Sequence, residues 1–588
     1  MAGYVRAGLY ALVSLDEAPL QQVELDVLGL SAAMSGPHAF ASGVAVAAVD
    51  PDANALGLLK TSAGITAFAG FLDEPEELAA TLGLAAETPA VALALHALRR
   101  FGDEAPMRLV GEWSLFHFDL QGRVLTLLSS LAYRDPMHYA IYGQTVAISP
   151  DMLTLCRLPG VGRRIDPEGF ALSVSRARLR AFMGSRTPWR GVIRVAQGTR
   201  EIFSAGNRRS IPPAAEPPVT LFRGSFEDAV EASNDVCKRI LQQQLRRCGR
   251  SAILLSGGLD STLLNCVGAG VRSADAEMFA LTSVAPAGSE IPDERDVSSR
   301  TSAFLGIEHR FVSPAPWVSA YIPSATTVNF MQEPMVGLRH YLYEALNAEV
   351  VQSGGRALLD GFNGEMSLTR KPARHSQAGW WKRWYRELRD WNALRTQQRV
   401  SAGDAFHVRL SAQLLHSLPR EWGDLLDARP LAAPAPARGR PFGFNPSLGK
   451  MAMLETATAE GIRHVLPYRD MRLLRLAASF PGEFYERPGD TRPLARAMLR
   501  GRAPEAVRLN TVARPFSPDY ELRIVSQAGD ALAHVPGYRM AGVGEWLDLN
   551  WLDEALRKIR DHGLVGEHKE AQLACGAAEF LFLLNSGS

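Results

Sequence analysis

The stretch 251-SAILLSGGLDSTLLN-265 decides the fold. Apolar residues Ala252 to Leu255 run into Ser256, Gly257, Gly258, Leu259, Asp260 and Ser261, and helix-compatible sequence follows. This is the pattern of a buried parallel strand that ends in a Gly-rich turn and enters a helix. Such a turn gathers backbone N–H groups and the positive end of a helix dipole at one place, and that place binds phosphate. Gly257 and Gly258 admit an anion to the backbone because no Cβ stands in the way, and Ser256 and Ser261 add hydroxyl donors. Asp260 would repel phosphate. It makes sense with a divalent cation between the two, Mg2+ being the default for phosphate oxygens. A Gly-Lys-Ser/Thr sequence is absent, which sets the loop apart from that of kinases and GTPases. The plainer alternative is an ordinary strand–turn–helix with a Ser/Asp cap.

Around this stretch lie 588 residues, 47% of them hydrophobic, enough for two or more domains. Lys plus Arg number 63 against 62 Asp plus Glu, so no electrostatic excess points to nucleic acid. Cys156, Cys237, Cys248, Cys266 and Cys575 form no CxxC pair. Their spacing argues against a disulfide framework and a structural zinc site, and fits a reducing, cytoplasmic setting. The first residues lack the apolar core of a signal peptide, and no run approaches the ~20 apolar residues of a membrane span. A cytoplasmic protein is expected.

The chain divides at its middle. Residues 1–205 alternate short apolar runs with turn signals, and "WSLFHFD" and "RVLTLL" around "LQG" read as a hairpin. Residues 88–101 read as a helix opened by Thr88 with Pro89 at its first position. This half is strand-rich α+β. The segment 206–222, rich in Pro, Ser and Gly, reads as a linker. From 223 to 588 the order is a long amphipathic helix, with Phe226, Val230, Cys237, Ile240 and Leu241 on one face, then the strand, the loop and mostly helical sequence. Residues 428–444, "ARPLAAPAPARGRPFGF", are low in complexity.

SGGLDS resembles the pyrophosphate loop of ATP pyrophosphatases, and the chain as a whole resembles the asparagine-synthetase family. "RFGDEAPMRLVGEWSLFHFD" and "YAIYGQTVAISPDMLTLCRLPGV" are similar to that family's amidotransferase domain. "LPYRDMRLLRLAASFP" and "TRPLARAMLRGRAPEAVR" are similar to late segments of its synthetase domain. The resemblance implies a degenerate, Ntn-hydrolase-type glutaminase-like α+β domain followed by an α/β ATP-pyrophosphatase domain. It implies ATP and Mg2+, with ATP held by Ser256, Gly257, Gly258, Leu259, Asp260, Ser261 and Gly361. A substrate carboxylate attacks the α-phosphorus, pyrophosphate leaves, and an amine converts the acyl-adenylate to an amide. The family's "SGEGADE" has its counterpart in "LLDGFNGEMS", 358–367, where Glu365 takes the slot of a metal-binding Asp beside Asp260. The alternative for Glu365 is a helix-start charge. Asp293, Glu294 and Asp296 read as a solvated helix start. Glu333-Pro334 matches "DEP", as a substrate-pocket residue or loop punctuation. Arg514 stands near the place of a catalytic Lys.

Departures from the family pattern narrow the reading. Its amidotransferases begin Met-Cys-Gly, with the Cys as nucleophile, whereas this chain begins Met1-Ala2-Gly3. Ala2 has no thiol, so the expectation is a dead glutaminase and an amine supplied by the substrate itself. β-Lactam synthetases and lasso-peptide cyclases share that loss. The β-lactam enzymes use a Tyr, where the residue after Gly361 is Phe362, which has no hydroxyl. The segment 375–399 sets Trp380, Trp381, Trp384, Tyr385 and Trp391 among six Arg or Lys. It reads either as core packing with a basic face or as a peptide groove in which Trp381 and Trp384 meet substrate. The expectation is therefore a lasso-peptide macrolactam synthetase. Its partners would be a precursor peptide and the leader peptidase of the same pathway. The alternatives are a β-lactam-synthetase-like enzyme on a small amino acid, a glutamine-independent asparagine-synthetase-like enzyme, and an inactive scaffold.

Overall fold

Strand-rich and helix-rich sequence separate into two compact units, residues 1–173 with 181–217, and residues 174–180 with 218–588. The computed structural model describes residues 6–30, 38–49, 56–131, 137–176, 179, 183–214, 219–370, 406–419, 422, 461–487, 490–512 and 514–585.

The first unit is built from alternation. Its strands are β1 (Gly8–Ser14), β2 (His38–Ala41), β3 (Val44–Val49), β4 (Leu56–Lys60), β5 (Gly64–Leu72), β6 (Gly111–Asp119), β7 (Val124–Ser129), β8 (His138–Tyr142), β9 (Thr145–Ser149), β10 (Val192–Arg194), β11 (Arg200–Ser204) and β12 (Asn207–Ile211). They form two six-stranded sheets, ordered β10-β8-β9-β1-β3-β2 and β12-β11-β7-β6-β5-β4. All their ladders are antiparallel, including the expected β6–β7 hairpin. Every second residue of the facing strands enters one core: Leu9, Val46, Ile65, Phe116 and Leu127 are buried together. The other face of β5 and β6, through Phe68, Trp113 and Leu115, packs on helices α1 (Pro75–Leu82) and α2 (Ala90–Phe101). Both faces of β5 are buried, which is why "GITAFAGFL" shows no polar alternation.

Two details differ from expectation. Helix α2 has Pro89 at its N-cap with no side-chain cap, and the Thr88 hydroxyl turns back to the Ala85 carbonyl at 2.7 Å. The segment 206–222 is not all linker, because β12 pairs with β11 along Asn207–Ile211. Its "NRRSI" is exposed along Asn207–Ser210 on an edge strand, so no apolar pattern marks it.

The second unit opens with α3 (Phe226–Cys248), started by a capping box in which Ser225 and Asp228 satisfy each other's N–H groups. Ala229, Cys237, Ile240 and Leu241 of α3 are buried, while Phe226 and Val230 pack partly exposed on the same core. Five parallel strands follow: β13 (Ser251–Leu254), β14 (Met278–Ser283), β15 (Glu308–Val312), β16 (Ala357–Leu359) and β17 (Arg463–Val465). Their order is β15-β14-β13-β16-β17. Helices α3 and α4 (Leu259–Val271) cover the face that carries Ile253, Ala357 and Leu359. Helices α5 (Arg295–Leu305) and α6 (His340–Gln352) pack on the outer strands β14 and β15. The chain ends in helices α7 (Tyr520–Ser526), α8 (Ala528–Met540), α9 (Leu549–His562) and α10 (His568–Asn585).

Candidate functional site

Strand order fixes where a ligand sits. From β13 the chain moves outward to β14 and β15, then returns to place β16 on the other side of β13. The loops leaving β13 and β16 therefore diverge at their C-terminal ends and leave a crevice between them. The loop after β13 is SGGLDS, and the loop after β16 is "DGFNGEM".

The first loop is held by its own hydroxyls. The Ser256 N–H donates to Ser261 Oγ at 2.9 Å, the two hydroxyls share a bond of 2.9 Å, and the Gly258 N–H donates to Ser256 Oγ at 3.2 Å. Gly258 is the N-cap of α4 and is exposed, so the first turn of that helix, from Leu259, opens at the cleft. Gly257 is buried instead. A Cβ on it would stand 2.4 Å from Glu294 Oε2. Tyr468 donates to the Asp260 carbonyl at 2.8 Å and fixes the base of the helix.

The second loop approaches Asp260 closely. A Cβ on Gly364 would lie 2.4 Å from Asp260 Oδ1, and a Cβ on Gly361 3.3 Å from the Ser261 nitrogen. Thr369 Oγ1 donates to Asp260 Oδ1. Glu365, expected beside Asp260, is exposed and is not among the residues that line the cleft. The carboxylate that the loop turns into the cleft is Asp360, 8% exposed. Asp360 accepts from the Tyr343 hydroxyl at 2.7 Å and from the Phe362 N–H at 3.0 Å. Burial raises its carboxyl, and those two donors hold it back. Tyr343 in turn is raised well above the ordinary phenol range, by burial and by Asp360.

These loops line one cavity of about 1680 Å³, lying wholly within the second unit. Ser256, Gly258, Asp260, Ser261, Gly361, Phe362 and Arg514 all reach it. Its apolar wall includes Met335, Leu338, Phe516, Leu522 and Leu573. Arg339 lies over the Phe516 ring at 5.8 Å, and that ring meets Tyr343 at 6.0 Å. Glu333 is buried at 6% and is not part of the lining, although its neighbour Met335 is. Leu259 is a core residue at the helix start. Trp381, Trp384 and the segment 428–444 lie outside the described residues.

Two residues that the sequence did not single out line the cleft, Asp360 and Tyr343, and a third, Glu294, was read differently. Glu294 stands in a polar run at a helix start and reads as solvated, yet it is 4% exposed and lies under Gly257. Asp293 is also drawn in, its carboxylate accepting the N–H groups of Ala285 and Arg295 at 2.9 Å each. Only Asp296 keeps the expected exposed place, paired with Arg300. No sequence signal marked Glu294 beyond its spacing before α5. Asp360 was legible as an acid at the end of an apolar run.

Among the described residues no group of three or more His, Cys, Asp or Glu side chains is gathered as a metal cage. A cation bound through substrate phosphates needs only one or two carboxylates, and Asp260 at the cleft meets that requirement. In the first unit, Ala2 lies outside the described residues, but β1 opens at Gly8 directly after Ala7, which carries no thiol either. Cys156 is the one cysteine of residues 1–217. It is buried, and burial pushes its thiol up to about 12, far from a nucleophile's range. No described helix is long and apolar enough to cross a membrane.

A family model described as asparagine synthase matches residues 234–572, more than half of the chain. No curated protein sequence matches it. Solved structures that align with it include glutamine phosphoribosylpyrophosphate amidotransferase from B. subtilis complexed with ADP and GMP. That alignment has 12% identity and a TM-score of 0.23, and covers 60% of this chain and 69% of that one. An allosteric regulatory enzyme of purine biosynthesis aligns at 11% identity and TM-score 0.22, covering 57% and 72%. A U34-tRNA thiolase from Methanococcus maripaludis aligns at 9% identity and TM-score 0.23, covering 58% and 82%. At these scores the three proteins' activities have no bearing on this chain.

Proposed function

We propose, from the premise that this chain belongs to the asparagine synthase family and is an ATP-dependent amide-forming ligase, that it closes a macrolactam in a peptide. The activated group is an Asp or Glu side-chain carboxylate of a precursor peptide, and the amine is that peptide's own N-terminus.

The pyrophosphate of ATP would lie at the start of α4, where the helix dipole and the first-turn N–H groups face the cleft. Asp260, with the phosphates, would hold Mg2+, which when bound neutralises phosphate charge. Arg514 lines the same cleft and offers a fixed positive charge to the departing pyrophosphate. The substrate carboxylate oxygen forms the bond to the α-phosphorus as the bond to pyrophosphate breaks. The amine then attacks the acyl carbon, AMP leaves, and one proton is released. Asp360, hydrogen-bonded to Tyr343 in the cleft, is placed to receive that proton.

The observation that carries this reading is the cleft. At about 1680 Å³ it exceeds the ~300–1,000 Å³ of ordinary small-molecule sites, leaving room for a folded-back peptide beside the nucleotide. Phe362 on its wall offers no hydroxyl, and neither Ala2 nor Ala7 can release ammonia from glutamine. Trp381 and Trp384 are the proposed peptide contacts. A second reading, β-lactam-type closure of a small amino acid, draws support from Tyr343, whose phenol does stand in the cleft.

The test is direct. Purified protein with ATP, Mg2+ and a leader-free peptide bearing a free N-terminus should yield a product lighter by one water, with AMP and pyrophosphate. Acetylation of that N-terminus should stop the loss of water. If water is still lost from the acetylated peptide, the N-terminal amine is not the nucleophile and the macrolactam reading falls.

A further inference from the structure

Glu294 is deeply buried beside the pyrophosphate loop, and nothing in the reaction scheme uses it. A buried carboxylate without partners is disfavoured, so its surroundings must offset that cost. They do so with groups from two distant segments. The Gly257 backbone packs against it, and the Arg514 charge and the N–H groups of Gly257 and Arg514 favour its ionised form. Burial nevertheless leaves its carboxyl raised above the usual range, with Arg514 and the two N–H groups opposing the shift. The Arg514 guanidinium also donates to the carbonyl of Asp293, the preceding residue. Asn510, four residues before Arg514, donates to the Gly257 carbonyl at 3.3 Å.

The glycine at 257 thus has a cause that the sequence alone does not give. A Cβ there would lie 2.4 Å from Glu294 Oε2 and 3.1 Å from its carboxyl carbon. The Gly258 N–H is taken by Ser256 Oγ and the Gly257 backbone packs on Glu294, so the first turn of α4 presents the loop's phosphate-facing donors. Arg514 is pinned on one side by residues 293–294, and it lines the cleft with Ser256 and Gly258.

We propose that Glu294 is a positioning residue of the nucleotide site, a strut that locks the pyrophosphate loop to Arg514 so that both present one preset surface to the pyrophosphate of ATP. The proposal rests on the reading of SGGLDS as the phosphate site. A rigid pair of this kind contributes by preorganisation, since neither the loop nor the long Arg side chain must be ordered when the nucleotide arrives.

The experiment is calorimetric titration of Mg-ATP, and separately of Mg-pyrophosphate, into the full-length protein, without peptide, alongside melting temperatures. Glu294→Gln keeps the volume but removes the charge and one acceptor. It should weaken both ligands about tenfold, the loss of one charge-assisted contact, with the melting temperature unchanged. Arg514→Ala should weaken both as well, and Glu294→Gln added to Arg514→Ala should cost less than about twofold more, because the strut then has nothing to hold. Equal affinities in wild type and Glu294→Gln, or losses that simply multiply in the double variant, overturn the proposal. Should Glu294→Gln fail to fold, Arg514→Lys carries the test. It keeps the charge but removes the planar fork, so pyrophosphate affinity should fall about tenfold, and an unchanged affinity would mean that Glu294 only fills space. Failure of the wild type to bind Mg-ATP at all would instead remove the reading of the loop, and the proposal with it.

Discussion

In the first unit two antiparallel sheets close their apolar faces on each other. In the second, five parallel strands stop at a cleft. The difference lies in what the ends of the strands do. In the first unit, hairpins such as β6–β7 and β8–β9 turn each strand straight back into its neighbour, so the chain's apolar alternation is spent on a core. In the second, a crossover joins each strand to the next, and reversal of the order at β13 and β16 leaves two Gly-rich loops facing one another. A sandwich of this kind tolerates changes in its loops, because its packing lies between the sheets. A site made of loop backbone and two close glycines has no such tolerance.

That contrast can be broken most sharply at Asp260. Asp260→Ala should lower pyrophosphate release about 10³-fold while the melting temperature stays within experimental error, since the side chain stands at the start of α4 on the wall of the cleft. Near-wild-type release would end the metal assignment. Gly364→Ala adds no chemistry, but its Cβ would press on Asp260 Oδ1 from 2.4 Å. About 10²-fold loss of turnover is expected from the displaced carboxylate, measured as AMP formed per folded molecule. A neutral result would mean that the two loops do not meet in the working enzyme. Glu365→Ala should cost no more than about threefold, as for an exposed charge outside the cleft. A loss equal to that of Asp260→Ala would return Glu365 to the metal.

The first unit should answer in the opposite sense. Leu127→Ala removes a fully buried side chain between the sheets and should cost about 2–5 kcal/mol of stability. Turnover per folded molecule should not change, and glutamate release from glutamine should be absent in wild type and variant alike. Glutamine-dependent glutamate release would restore a catalytic role to that unit. The smallest effect concerns pH. Burial lowers His309 from 6.5 to about 4, its ring nitrogens bonded to Thr282 and Ser302 at 2.8 and 2.9 Å. The unfolded chain therefore binds a proton more readily than the fold between those values. This contribution to stability is complete above 6.5 and is lost as pH falls toward about 4. His309→Asn should flatten the fall in melting temperature over that window, and an identical pH profile in both proteins would refute it.

Much of this was legible in the sequence, for physical reasons that differ by region. SGGLDS was readable because a strand, a turn without Cβ atoms and a helix start must follow in that order, and the β6–β7 hairpin was readable from its two apolar runs around a turn. Glu294 was not, because a polar run before a helix looks the same whether it faces water or lies under a loop. Glu365 drew attention by its place in a motif, whereas the short turn after β16 sends Asp360 to the cleft and leaves Glu365 outside it. β12 was hidden by its edge position, where no face needs to be apolar.

The central claim is that a peptide carboxylate is activated as an adenylate at the cleft between β13 and β16. It is tested most directly with a peptide whose Asp or Glu side-chain carboxylate carries heavy oxygen, incubated with the enzyme, ATP and Mg2+. Attack on the α-phosphorus leaves one carboxylate oxygen on that phosphorus when the amide forms, so mass spectrometry should find one heavy oxygen in each AMP released with cyclised peptide. Heavy oxygen in inorganic phosphate, with ADP as the nucleotide product, would show attack on the γ-phosphorus and contradict the account.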